Sequence, residues 1–418
     1  MNMFTESEFS VFDFASCISE AIDLVYPALN NHHKKVAYIS YNIAKEMSLS
    51  DDQVKDVVLA SILHDIGAFT IEEKAQLADV SFDDTFNEHS VMGYRLLKNF
   101  EPLSNAAEII KHHHAFYDES AREIPPGSYI VHLADRLSVM LDDRNEVLKQ
   151  IPGIIGKIND KQSVFHPDAL AAFHRLEKLE YFWIEACSLP INYALPERMR
   201  FTKKIIDLDT LRGFAQVVSH IIDYRSRFTA THSSGVAAIA LELTTICGFS
   251  ERECKMMEIA GFLHDLGKLA VSSEILEKNG ALTAEEFNEI RKHTYYTYVI
   301  LNKVKGLEHI STWAAYHHEK LNGTGYPFHI KGEDFSRLAR IMAVADIVTA
   351  ITEDRPYRSG MESERALKVL NGMVESGAID KGIVGIATEN FPRINDVRIK
   401  AQQEAQQKYI AFRNDGCN

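Results

Sequence analysis

Two stretches of the chain that lie 200 residues apart share one short pattern. "ILHDIGAFT" (Ile62–Thr70) and "FLHDLGKLA" (Phe262–Ala270) share a His-Asp pair and the glycine two residues beyond it. With short insertions, a longer set of histidines and aspartates is repeated in the same order: His32, His64, Asp65, His89, His113, His114 and Asp135, then His232, His264, Asp265, His293, His317, His318 and Asp346. Chance would not preserve that order, so the sequence predicts a duplicated domain.

The apolar periodicity of both halves is helical. "VKDVVLASILHDI" and "LARIMAVADIVTAI" are too long and too alanine-rich for strands, and no alternating runs with hairpin turns occur. We therefore predict an all-α chain of two tandem helical bundles. The boundary is expected near Pro190 and Pro196, which gives one domain at 1–196 and a second at 197–418.

Composition limits the classes of partner. The net charge of −14 argues against a bulk electrostatic contact with DNA or RNA. The five cysteines are scattered, without a CxxC pair, so neither a zinc ribbon nor a disulfide framework is indicated. No signal peptide and no run of 18 apolar residues is visible, so we expect a cytoplasmic protein that does not enter a membrane.

The repeated side chains are all imidazoles or carboxylates. This donor set suits Fe, Mn, Co, Ni or Zn, and the lack of thiolate argues against a structural zinc site. A single histidine in an apolar helix is usually a satisfied core residue, and an adjacent His-His is often a solvated helix end. That interpretation needs seven independent coincidences in each half, so the pattern favours metal binding.

These residues carry a family resemblance. The order H…HD…H…HH…D resembles the HD metal-dependent phosphohydrolases. "HDLGK" (His264–Lys268), "HHEKLNGTGYP" (His317–Pro327) and "ARIMAVADIVTAITEDRPYR" (Ala339–Arg358) resemble the HD-GYP subfamily, over about residues 205–375. The resemblance implies HD-type helical bundles and hydrolysis of cyclic dinucleotides, mainly cyclic di-GMP. An HD half ahead of an HD-GYP half is similar to members that hydrolyse 3',3'-cyclic GMP-AMP.

The resemblance also implies roles for individual residues. Asp265 would bridge two divalent metals, Fe or Mn in the first place, with Ni, Co or Zn as alternatives. The other metal ligands would be His232, His264 and Asp346 at one ion, and His293, His317 and His318 at the other. Lys268 would face the phosphate, Tyr326 would line the substrate pocket, and Arg355 and Arg358 would contact phosphate or base. Hydroxide activated by the metals would open the ring to a linear 5'-phosphorylated dinucleotide.

Several positions depart from the family pattern. Phe228 stands where some members have a third-metal carboxylate, so a binuclear site is expected. Thr349 and Asn322 replace two common aspartates. The first half has Ala68 in place of the lysine and lacks the GYP loop, which indicates a structural or regulatory role, with a second, divergent hydrolase as the alternative.

Two other functions remain open at this point. The chain could be a cyclic dinucleotide sensor with little turnover, although the complete ligand set and Lys268 argue against it. An HD nucleotidase or alarmone hydrolase is disfavoured by the GYP loop. Base preference, native metal, metal binding by the first half and the formation of a homodimer are left open by the sequence.

Overall fold

The structure is a computed structural model. It describes residues 9–23, 31–68, 88–121, 123–187, 195, 198, 205–224, 231–278, 280–354 and 359–414. The chain divides into two compact units, Ser10–Ile205 and Met1–Phe9 with Ile206–Asn418. Several residues singled out above lie outside the described residues: Pro190, Pro196, Phe228, Arg355 and Arg358.

The N-terminal unit is built of helices. Its described α-helices are α1 (Val11–Asp23), α2 (His32–Glu46), α3 (Asp51–Leu63), α4 (Glu88–Leu97), α5 (Ser104–Lys111), α6 (Pro126–Met140), α7 (Val147–Asp160), α8 (Pro167–Leu176) and α9 (Glu180–Ala186). Helix α2 packs against α3 and α6, and α5 packs against α3 and α4.

The C-terminal unit repeats this arrangement and extends it. Its described α-helices are α10 (Leu208–Tyr224), α11 (His232–Ile246), α12 (Glu251–Leu263), α13 (Ser273–Leu276), α14 (Ala284–Leu301), α15 (Glu308–Ala315), α16 (Arg337–Thr352), α17 (Ser363–Glu375), α18 (Lys381–Glu389) and α19 (Phe391–Asn414). Helix α11 packs against α12, α16 and the long C-terminal α19.

The prediction of an all-α fold is confirmed. Within the described ranges the strands are β1 (Phe9–Ser10) and β2 (Ile205–Ile206), of two residues each. None of the described helices has both the length and the apolar character needed to cross a membrane.

The same local signal starts the helix that precedes the His-Asp pair in each unit. Ser50 accepts a hydrogen bond from the backbone N–H of Gln53, and Ser250 accepts one from that of Glu253; the side chain at the third position bonds back in both cases. Such capping boxes satisfy N–H groups that have no partner within the helix. Helices α3 and α12 then run through the core and end directly before His64 and His264.

Candidate metal centres

The predicted ligands of the C-terminal unit come from five packed elements. His232 begins α11, His264 and Asp265 follow α12, and His293 lies within α14. His317 and His318 follow α15, and Asp346 lies within α16. All are buried except His318, which is half-buried. Helix packing therefore brings seven polar side chains, spread over more than 100 residues, into one region of the core.

These side chains form two groups of donors. The donor atoms of His232, His264 and Asp346 lie within 4.8 Å of one another, and so do those of His293, His317 and His318. Asp265 lies between the groups, because its Oδ2 is 3.2 Å from His264 Nε2 and its Oδ1 is 3.4 Å from His293 Nε2. The structure thus brings the residues together in the grouping that the resemblance implied, and their roles as ligands stay a prediction.

The backbone orients three of these imidazoles. Nδ1 of His264, His293 and His317 each lies 2.5–2.8 Å from the carbonyl oxygen three residues earlier. A carbonyl only accepts, so each Nδ1 carries the proton and each Nε2 presents a lone pair to the centre. His293 Nε2 and His317 Nε2 then face each other at 3.2 Å. Two facing lone pairs need a cation, so this donor set fits a metal ion.

The carboxylate of Asp265 also indicates a metal site. Its Oδ1 is buried and has no hydrogen-bond partner among the described residues. A buried carboxylate oxygen without a partner is costly, and a metal ion would satisfy it. Although burial opposes ionisation, the neighbouring His264 imidazole and the Lys268 ammonium hold the pKa of Asp265 well below its usual range, so the carboxyl is an anion.

Glu353 is a functional candidate that sequence reasoning missed. Both of its carboxylate oxygens lie 3.0–3.1 Å from Nδ1 of His232, and Oε2 also accepts a hydrogen bond from Gln402 of α19. Burial opposes protonation of His232, but Glu353 and Asp346 raise its pKa to about 10. A carboxylate in contact with the outer nitrogen fixes the orientation of a ligand histidine and makes it more basic. In the sequence, the sign that could have indicated Glu353 was its position two helical turns after Asp346.

Lys268 lies at the edge of the centre. Its Nζ donates to Asp265 Oδ2 at 2.6 Å, and one-fifth of its side chain is exposed. It can therefore reach both the carboxylate and a ligand that arrives from solvent. Ala68, at the matching position of the N-terminal unit, is buried and supplies no charge.

Gly267 allows the His-Asp turn to approach α14. A Cβ atom at Gly267 would lie 1.9 Å from the carbonyl oxygen of His293, and the Gly267 N–H donates to Thr297 Oγ1 at 2.9 Å. In the N-terminal unit a Cβ at Gly67 would lie 2.2 Å from the carbonyl oxygen of His89. The glycine that both copies share is therefore required by backbone contact, not by a ligand.

Tyr326 of the predicted GYP loop lies beside the centre. Its ring centroid is 5.0 Å from that of His318, and burial raises its pKa. Arg291 of α14 places its guanidinium 4.9 Å from the Tyr326 ring centroid. Arg291 was missed by sequence reasoning, since only its spacing of two residues before His293 connects it to the site. Together, Tyr326 and Arg291 form a surface suited to an aromatic base or a phosphate.

Glu319 holds the loop in place. Its carboxylate accepts hydrogen bonds from three consecutive backbone N–H groups, of Phe328, His329 and Ile330, at 2.6–3.1 Å. The loop also closes on itself, because a Cβ at Gly325 would lie 2.5 Å from Glu319 Cα. The buried glutamate directly after His317-His318 thus fixes the position of Tyr326.

The N-terminal unit gathers its own seven residues in the same way. His32, His64 and Asp135 form one group, and His89, His113 and His114 form the other. Asp65 lies between them, with Oδ2 3.1 Å from His64 Nε2 and Oδ1 3.5 Å from His89 Nε2. The donor set therefore also fits metal ions in this unit.

Comparison with known proteins agrees with this duplication. Two segments match the HD domain family, residues 30–140 and residues 216–383. The chain belongs to the HD domain family. The two HD domains account for both clusters, and proteins of this family depend on metals. The predicted resemblance to the HD-GYP phosphodiesterases is also confirmed by the relatives that the chain matches.

One relative matches almost throughout. The chain is 28% identical to 3'3'-cGAMP-specific phosphodiesterase 1 of Vibrio cholerae over 399 residues, which cover 90% of each protein. It is 38% identical over 144 residues to a cyclic di-GMP phosphodiesterase of Pseudomonas aeruginosa, across 34% of each. A crystal structure of a cyclic GMP-AMP-specific phosphodiesterase of V. cholerae covers 92% of this chain, and 98% of that protein is matched, with a TM-score of 0.64 and 19% identity, which supports the fold alone.

Proposed function

We propose that the chain hydrolyses cyclic dinucleotides at the C-terminal HD domain, with 3',3'-cyclic GMP-AMP as the preferred substrate. The observation that carries the proposal is the pair of donor groups joined by Asp265, with Lys268 at their solvent-exposed edge. The relative matched over 90% of both proteins bears the name of a cyclic GMP-AMP phosphodiesterase. Cyclic di-GMP is the second substrate, because a relative matched over 144 residues is named for it.

Two divalent transition metal ions are the cofactors in this proposal, Fe or Mn before Ni, Co or Zn. His232, His264 and Asp346 would hold one, His293, His317 and His318 the other, and Asp265 both. When bound, such a pair lowers the pKa of water, which supplies a nucleophile at neutral pH, and neutralises phosphate oxygens. The carboxylates of Asp265 and Asp346 offset part of the ions' charge, and Glu353 holds His232 in orientation.

The remaining residues act on the substrate. The Lys268 ammonium would stabilise negative charge that builds on the phosphoryl oxygens in the transition state. Tyr326, fixed by the Glu319-bound loop, would lie against a base, and Arg291 would contact a phosphate. The proposed reaction breaks the bond between phosphorus and the ribose 3'-oxygen and forms a bond from phosphorus to a water oxygen. The products are a 5'-phosphate and a 3'-hydroxyl on a linear dinucleotide.

The two domains have different roles in this proposal. Residues 197–418 form the catalytic HD-GYP domain, and residues 1–196 form a degenerate HD domain without the lysine or the GYP loop. Replacing both His264 and Asp265 with alanine should abolish hydrolysis. The matched double replacement of His64 and Asp65 should cost far less. An equal loss in both variants, with both still helical by circular dichroism, would refute the assignment.

Turnover distinguishes this enzyme from a sensor that only binds. Purified protein loaded with Mn²⁺ or Fe²⁺ is incubated with 3',3'-cyclic GMP-AMP, cyclic di-GMP and cyclic di-AMP, and the products are separated by chromatography. We expect a linear dinucleotide to accumulate, and in ¹⁸O-water the label should appear on its 5'-phosphate. Tight binding without any product would support the sensor, and label on a 3'-phosphate would contradict the proposed reaction.

A further inference from the structure

His33, next to His32 in α2, has no histidine at the matching position of the other unit, where Ser233 stands. It is 1% exposed, and its Nδ1 lies 2.5 Å from Oδ1 of Asp23 at the end of α1. The matching pair in the C-terminal unit is Ser233 and Asp223, where the serine hydroxyl donates to the carboxylate at 2.8 Å. The N-terminal unit therefore carries an additional buried imidazole where the C-terminal unit has a hydroxyl.

The free nitrogen of His33 points into the N-terminal cluster. Because Asp23 accepts at Nδ1, that nitrogen carries the proton, and in a neutral imidazole Nε2 presents a lone pair. Nε2 is buried and has no hydrogen-bond partner in the described part of the chain. It lies 3.8 Å from Oδ2 of Asp65, which is too far for a hydrogen bond but within reach of one shared ion. The donor atoms of His33, His64 and Asp65 all lie within 4.8 Å of one another.

Asp65 also differs from its counterpart. Neither of its carboxylate oxygens has a hydrogen-bond partner among the described residues, whereas Oδ2 of Asp265 accepts from Lys268. The side of the centre that carries an ammonium in the C-terminal unit thus holds, in the N-terminal unit, the Nε2 of His33 and a carboxylate without an ammonium partner, whose Oδ2 lies 3.1 Å from His64 Nε2. Such an arrangement is electrostatically unfavourable unless a cation lies between them.

We propose that His33 is a fifth protein ligand of a metal ion in the N-terminal unit, oriented by Asp23, and that it takes a coordination position that stays open to substrate in the C-terminal unit. The other donors are His32, His64, Asp65 and Asp135. Catalytic metal sites keep positions open for water or substrate, and His33 would occupy one such position with protein. The two units also differ beside the last predicted ligand. Arg136 donates to Oδ2 of Asp135 at 2.5 Å, whereas Ile347, the counterpart of Arg136 in the C-terminal unit, has no charge.

The competing arrangement is an imidazolium of His33 that bridges Asp23 and Asp65 without any metal. The two arrangements predict different effects of removing the His33 side chain. If His33 binds a metal ion, its removal opens the coordination of that ion and makes the ion exchangeable. If His33 is an imidazolium, its removal breaks a buried ion pair and lowers the stability of the fold without affecting any metal.

The experiment uses full-length protein in which Asp265→Ala removes the bridging carboxylate of the C-terminal centre. Co²⁺-loaded protein is gel-filtered, its metal content is measured by mass spectrometry, and release into excess EDTA is followed by the cobalt absorption bands. We expect the D265A parent to retain cobalt. In that background H33S should release cobalt about 10–100-fold faster, because loss of a group that supports a metal site typically lowers metal affinity by that factor. H132S is the matched control, because His132 is also buried in this unit but outside both donor groups.

Asp23→Asn provides a second route if H33S does not fold. It keeps the size of the side chain and removes the charge that fixes the proton on His33 Nδ1, so release should again be faster than in the parent. Retention of no cobalt by the D265A parent would overturn the proposal. Release from both H33S and D23N at the rate of H132S would also overturn it. Hydrolysis by the unmodified protein is measured separately, so a failure here leaves the proposed function to its own test.

Discussion

Gly267→Ala tests whether the backbone contact at the His-Asp turn sets the geometry of the C-terminal centre. The glycine φ is not in the left-handed region, so alanine adds no backbone strain. Its methyl group would, however, lie 1.9 Å from the carbonyl oxygen of His293 and 2.8 Å from the backbone nitrogen of Thr297. Both atoms belong to the backbone of α14, so no side-chain rotation can relieve the clash.

The size of the effect follows from these distances. The methyl carbon and the His293 oxygen must separate by roughly 1.5 Å to reach ordinary contact at about 3.4 Å. Since His293 is part of α14, its Nε2 moves away from Asp265 and His317 with the helix. A misplacement of about 1 Å can cost about 100-fold in rate, so we expect kcat to fall by at least that factor, or about 2.7 kcal/mol in activation free energy. Overpacking of this kind should also lower the free energy of unfolding by about 1–3 kcal/mol.

The assay compares initial rates of cyclic dinucleotide hydrolysis at saturating metal, together with metal content and thermal unfolding by circular dichroism. Gly67→Ala is the matched control, because its methyl group would lie 2.2 Å from the carbonyl oxygen of His89 in the other unit. We expect both variants to be destabilised, but only G267A to lose most of its turnover. Wild-type kcat in G267A, or an equal loss of kcat in G67A, would refute the reasoning.

Three further replacements test single contacts in the C-terminal centre. Asp265→Ala should remove metal from this unit and abolish hydrolysis, because the carboxylate lies between both donor groups; full metal occupancy with retained turnover would exclude the bridging role. Lys268→Ala should retain metal but lower kcat by about 10²–10³-fold, the usual cost of losing one transition-state contact, and unchanged kcat would show that the lysine does not face the phosphate. Glu353→Gln should weaken metal affinity by about 10–100-fold in a chelator competition, and an unchanged affinity would mean that His232 is oriented by other contacts.

The order of residues along the chain determined the class of fold and the chemical type of the centre. Helical periodicity does not depend on long-range contacts, so "VKDVVLASILHDI" was sufficient to predict a helix before His64. The capping boxes of Ser50 and Ser250 also act within three residues, so this signal is equally local. The imidazole and carboxylate donors were identified because duplication preserved their order, not because any one of them is distinctive.

Only the tertiary structure showed which other side chains contact these donors and orient them. Glu353 reaches His232 across 121 residues, and Asp23 reaches His33 from a neighbouring helix. Neither carboxylate belongs to the repeated pattern, and nothing in helical periodicity encodes which helix faces produce such contacts. The shared glycine shows the same limit: its presence was visible in the sequence, but its contact with the backbone of His293 depends on how closely α14 packs against the His-Asp turn. Sequence fixes the donors because their chemistry is local, whereas packing fixes their orientation because orientation depends on contacts between distant helices.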